Sequence, residues 1–213
     1  MATLDISDNN DTKRVGNKTF QILSEILQTN TSITSLCIRH HHLTDEDLKY
    51  IYIGLTNNKT ITKLLIHFRL EYNGFYYLSE TLKVNSTISY IHMQFEGYTD
   101  ELSLKYLGEA LKINKSLKTL ILRVWIRNLD SLSEALISNN TLRLLHVNLR
   151  LDAVTDEVIE KLCIAIEKNI GLQTLILPGV TKYLNRILKA FTINDTLSHL
   201  SLENYGALID FTP

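Results

Sequence analysis

Three observations predict an α/β fold for this chain: a right-handed solenoid, or horseshoe, of about seven stacked helix–strand repeats with a parallel β-sheet on its concave face. The first is a recurring Asn-x-x-[Ile/Leu], at Asn30, Asn58, Asn85, Asn114, Asn139, Asn169 and Asn194, with spacings of 28, 27, 29, 25, 30 and 25 residues. The second is an apolar frame that travels with each Asn, at seven and three residues before it and at three, six and eight after it. Over seven repeats all 35 of these positions are apolar, in a chain that is 45% apolar overall, so chance does not compete. The third is the spacing within the frame. The upstream pair, four apart, lies on one face of a helix, and the last downstream pair, two apart, lies on one face of a strand.

In chain order, LDISDN (4–9) gives the first strand through Leu4 and Ile6, and VGNKTFQILSEIL (15–27) gives the first helix through Leu23 and Leu27. Leu36 and Ile38 mark the next strand, followed by a helix on Ile51 and Leu55. Strand and helix then alternate on Leu64 and Ile66, Leu78 and Leu82, Ile91 and Met93, Leu107 and Leu111, and Leu120 and Leu122. They continue on Leu132 and Leu136, Leu145 and Val147, Leu162 and Ile166, Leu175 and Leu177, Ile187 and Phe191, and finally Leu200 and Leu202. That makes eight strands and seven helices. Ala110, Ala135, Ala165 and Ala190, each four before its Asn, allow adjacent helices to pack closely. The Asn itself is expected to end each helix in the left-handed conformation. A single unit cannot bury its apolar stripe, whereas a stack can.

Stretches such as LTDEDLKYIYIGLTNNKTITKLLI (43–66), LGEALKINKSLKTLIL (107–122) and LSEALISNNTLRLLHV (132–147) resemble leucine-rich repeats of the ribonuclease-inhibitor-like subclass, the type also found in NOD-like receptors. The resemblance covers essentially the whole chain and implies one leucine-rich repeat domain over residues 1–213. It also implies a buried Asn just after each strand, satisfying backbone groups between repeats. Here that slot holds Asn9, His41, Arg69, Glu96, Trp125, Arg150, Val180 and Tyr205, so regularity is in doubt on the side where the chain leaves the strands. Arg69 and Glu96 fall on adjacent repeats and are candidates to pair.

RHHHLTDED (39–47) looks at first like a metal site. Its frame makes it structural: Thr44 caps a helix and Asp45, Glu46 and Asp47 lie in the first turn, where acids suit the helix dipole. Thr99-Asp100-Glu101 and Thr155-Asp156-Glu157 repeat the pattern. Adjacent histidines on a bending strand exit point in different directions, so no metal and no cofactor is expected. Asn-x-[Ser/Thr] sequons are a second false lead, since six of the eight are the repeat turn itself.

Composition narrows the function classes. A net charge of -1 gives no global attraction to nucleic acid or to an anionic membrane. Cys37 and Cys163 form no CxxC, which speaks against a zinc site or disulfide framework and for a reducing, cytoplasmic compartment. The N-terminus lacks the apolar core of a secretory signal, and no apolar run reaches the roughly 20 residues of a membrane span. No GxSxG, HExxH or GxxxxGK[ST] is present, and a stacked sheet closes no pocket, so the chain reads as non-catalytic. Its beginning and end at strands suggest a fragment of a larger receptor or a protein that needs a partner at its ends.

Solenoids generally bind on the concave sheet. Its outward rows read Thr3, Ser35, Lys63, Tyr90, Thr119, Leu144, Thr174 and His199; then Asp5, Cys37, Leu65, His92, Ile121, His146, Ile176 and Ser201. The next is Ser7, Arg39, His67, Gln94, Arg123, Asn148, Pro178 and Glu203, and the last Asp8, His40, Phe68, Phe95, Val124, Leu149, Gly179 and Asn204. Acids occur only at the two ends. Arginine and aromatic residues anchor interfaces. The candidate binding residues are therefore Arg39, Lys63, His67, Phe68, Tyr90, His92, Phe95, Arg123 and His146, facing a partner protein or an acidic, partly apolar peptide. Five histidines on the face also imply binding that strengthens below about pH 6.5. The expected role is a protein-interaction module, the recognition part of a signalling or innate-immune scaffold. The alternative is a regulator of an enzyme, either a GTPase activator or a nuclease inhibitor. Oligomeric state is left open.

Overall fold

Eight parallel strands alternate with seven α-helices in a computed structural model that describes residues 2–7, 17–39, 43–69, 74–149 and 154–202. The strands are β1 (Ala2–Ser7), β2 (Ile33–Arg39), β3 (Lys63–Arg69), β4 (Tyr90–Tyr98), β5 (Thr119–Ile126), β6 (Leu144–Leu149), β7 (Thr174–Ile176) and β8 (His199–Ser201). They form one sheet in sequence order, with parallel neighbours throughout. Parallel neighbours need a crossover, and each is supplied by one helix. The helices are α1 (Asn17–Thr29), α2 (Asp45–Thr56), α3 (Gly74–Val84), α4 (Glu101–Ile113), α5 (Asp130–Ser138), α6 (Asp156–Lys168) and α7 (Leu184–Ile193). A 3-10 turn, Thr181–Tyr183, precedes α7.

The core lies between sheet and helices and runs the length of the stack. Leu36, Leu64, Ile91, Leu120 and Leu175 are fully buried, as are Ile51, Leu78, Leu107 and Ile187 on the helices. At the end of the stack other apolar positions of the helix, flanking buried Ile187, open. Leu184 and Leu188 are 40% and 42% exposed, whereas Ile159, the equivalent of Leu184 one repeat earlier, is fully buried.

The repeated Asn does not adopt the left-handed conformation expected of it. Asn114, Asn139, Asn169 and Asn194 are extended, and no non-glycine residue among those described has positive φ. The side chain does the capping instead. Asn85 Nδ2 donates to Leu55 O at 2.7 Å and Asn58 O at 3.1 Å in the preceding repeat, while its Oδ1 accepts from the backbone N–H of Thr87 and Ile88. Asn58, Asn114, Asn139, Asn169 and Asn194 repeat the arrangement. Helix-terminal carbonyls that have no partner within their own helix thus receive one from the next repeat. The asparagine ladder of this solenoid therefore runs along the helix-to-strand corner. Because both Nδ2 hydrogens are engaged and Asn58, Asn85, Asn114 and Asn139 are at most 4% exposed, these sequons offer no free amide for glycosylation in the folded chain.

The opposite corner is irregular, as the missing post-strand Asn implied. Register shifts separate Gln94 from Tyr98 on β4 and Leu122 from Trp125 on β5. Val180 fills the slot as a fully buried apolar residue. Arg69 and Glu96 are register partners, with their side chains outside the described ones. His40, His41 and His42 also lie outside the described residues. Thr44 and Asp47 form a reciprocal capping box on α2, and Thr155 caps α6. On α4 the cap is Asp100 rather than Thr99, because Thr99 is tied across the corner to Trp125 O.

Candidate binding face

The observed pairing aligns the first two outward rows as the repeat frame predicts, from Thr3–Ser35–Lys63–Tyr90 through Leu144–Thr174–His199 and from Asp5–Cys37–Leu65–His92 through His146–Ile176–Ser201. The third row holds from Ser7 through Arg39, His67 and Gln94 to Arg123. It then breaks, because the β5 irregularity pairs Asn148 with Trp125. The fourth row is overturned in part: Val124 and Leu149 are 1% exposed and belong to the core. Phe68 and Phe95 are register partners on that row, and their side chains lie outside the described ones.

The strand curvature gathers Arg39, Lys63, His67, Tyr90, His92, Arg123 and His146 around one concavity of about 430 Å³. Arg39 is exposed, and the other six are half-buried. Lys63 Nζ sits 4.9 Å from the centre of the Tyr90 ring, within cation–π range. Among the described residues neither Lys63 nor Arg123 has a carboxylate partner; the ion pairs that do form are on the helices. His146 Nε2 lies 3.1 Å from Asn148 Oδ1.

Burial and like charge set the protonation of this face. Desolvation, then Arg123, His146, His67 and Lys63, push the His92 imidazole down to about 4, and its Nε2 is buried without a hydrogen bond. Desolvation and Arg123 likewise lower His146, with the Asn148 contact opposing them. Burial raises the Tyr90 phenol, partly offset by Arg123. The expectation that histidines here gain charge near pH 6.5 is thereby corrected for His92 and His146. His92 stays neutral there in the free protein, and His146 is shifted the same way, because the site is desolvated and already cationic.

A folded-state value below that of the unfolded chain means the unfolded state takes up a proton first, so stability falls as pH drops from about 6.5 to about 4. His92→Leu, which continues the Leu65 and Ile121 side chains of its row, should remove up to about 3 kcal/mol of that dependence. Urea unfolding of both proteins at pH 7 and pH 4.5 checks it, and parallel slopes would refute it.

Selecting charge and aromaticity leaves out the floor of the concavity: Leu65, Ile121, Leu144 and Ile176. It also leaves out Trp125, the only tryptophan in the chain, which is 46% exposed on the same strand two residues beyond Arg123. Strand alternation carried past Arg123 would have found it; the family slot pointed it inward instead.

Among the described residues no helix is long and apolar enough to cross a membrane. Neither protein-family models nor curated proteins contain a match to the chain. Among solved structures, a tropomodulin C-terminal domain from Caenorhabditis elegans matches at 16% identity, covering 84% of this chain and 93% of its own, with a TM-score of 0.46. Leiomodin-1 actin-binding site 2 matches at 14% identity, covering 90% of this chain and 82% of its own, with a TM-score of 0.30. These similarities are distant, and the fold assignment rests on the strand order, register and asparagine ladder described above.

Proposed function

We propose that the chain is a non-catalytic protein-interaction module, a single leucine-rich repeat domain of the ribonuclease-inhibitor-like subclass. Its concave sheet binds a partner protein or an acidic, partly apolar peptide. The observation that carries this reading is the pair of cations, Lys63 and Arg123, without carboxylate partners among the described residues, around a half-apolar concavity. A surface of this kind is not stabilised by its own charges, and an anionic partner would satisfy them. The binding set is Arg39, Lys63, His67, Phe68, Tyr90, His92, Phe95, Arg123 and His146. A cytoplasmic role as the recognition part of a signalling or innate-immune scaffold is consistent with this surface.

The test compares proteins captured from cytosol by the wild type and by the Arg39→Glu, Lys63→Glu, Arg123→Glu variant, with folding checked by circular dichroism. A partner held by wild type should bind at least about 100-fold more weakly to the variant, since three contacts become repulsive. Partners retained equally by both would move the site to the helices or the ends of the stack.

A further inference from the structure

Polarity on the concave face is graded along the solenoid axis. Arg39, Lys63 and Arg123 project from β2, β3 and β5, whereas β6 (LLHVNL) and β7 (TLI) carry no lysine or arginine. Ile121, Leu144 and Ile176, on β5, β6 and β7, are aliphatic side chains lining the same concavity, with His146 the register partner of both Ile121 and Ile176. Leu144 and Ile176 are only half-buried by the protein itself.

We propose that this face reads an extended peptide lying across the strands, with an acidic side chain over Arg39, Lys63 and Arg123 and an aliphatic or aromatic side chain about four residues away over Ile121, Leu144 and Ile176. The inference rests on the reading of the concave sheet as the binding surface. The separation follows from the sheet. Parallel strands lie about 4.8 Å apart, so the centre of the cationic group and the centre of the aliphatic group are about 13 Å apart, which an extended chain spans in about four residues. His146, in contact with Asn148, lies between Ile121 and Ile176 in the sheet register, where desolvation and Arg123 disfavour its charged form. A nucleic-acid strand fits less well, because its evenly spaced phosphates would run from the cations onto strands without lysine or arginine.

The test uses the full chain and fluorescein-labelled nine-residue peptides of glycine and serine carrying one glutamate and one leucine, separated by one to seven positions. Fluorescence anisotropy should show tightest binding at separations of three to five. Exchange of the leucine for serine, or of the glutamate for glutamine, should weaken it about tenfold. Leu144→Ser should abolish the preference for leucine while leaving the preference for glutamate. Equal binding at every separation, lost in the triple charge-reversal variant, would overturn the spacing rule and leave the concave reading standing. Undiminished binding to that variant would overturn both. Stronger binding of a labelled oligothymidylate than of any peptide, or no peptide binding up to about 1 mM, would overturn the proposal.

Discussion

Asn85→Ala should lower the free energy of unfolding by about 3–5 kcal/mol, because one truncation takes a hydrogen bond from four backbone groups and leaves three of them without a partner. Asn58 O loses its donor and the N–H groups of Thr87 and Ile88 lose their acceptor, while Leu55 O keeps only the Asn58 N–H at 3.2 Å, at a corner where Asn85 is 2% exposed. Asn30→Ala is the internal control. Asn30 is half-buried, and among the described residues its side chain serves only its own turn, accepting from Ser32 and Ile33. That substitution should cost about 1 kcal/mol. Because repeats couple only to their neighbours, Asn85→Ala should also weaken the cooperativity between the halves of the stack. Urea titration reads both effects, as a lower midpoint and a shallower slope. Equal losses for the two variants would mean that the ladder bonds between repeats contribute little.

Gly108→Ala is the second large effect, and its sign runs against helix propensity. An alanine in a helix interior ordinarily gains about 1 kcal/mol over glycine. At Gly108 of α4 the added Cβ would stand 2.6 Å from Ser131 O and 3.1 Å from Ser131 C on the neighbouring helix. Those are backbone atoms, so no side chain can rotate away. The helices would have to separate while the sheet beneath holds its register. A net cost of about 1–3 kcal/mol is expected, measured as a lower urea midpoint. Lys105→Ala, at an exposed position on the same helix, should be near neutral. A stabilised Gly108→Ala would show that the gap between α4 and α5 is softer than its geometry.

Much of this fold is legible in one dimension because a repeat states its own register. Once Asn30 through Asn194 are aligned, the residues that must share a face follow from the periods of helix and strand. The two outward rows through Lys63 and His92 accordingly match the observed pairing. What the sequence left undecided is local and three-dimensional. Which way the asparagine carboxamide turns depends on a carbonyl that only the stacked neighbour supplies. Val124, Trp125 and Leu149 departed from the frame because the β4 and β5 irregularities displace the strand ends, and irregularity has no period to read.

The chain thus determined by itself its repeat unit, its strand order and the first two rows of its concave face, because those follow from spacing and apolar burial alone. Only the tertiary structure decided the electrostatic character of that face. The charge state of His92 depends on how closely Arg123, His146, His67 and Lys63 are brought around it and how little water reaches it. Those quantities come from strands that are distant in sequence and about 4.8 Å apart in space.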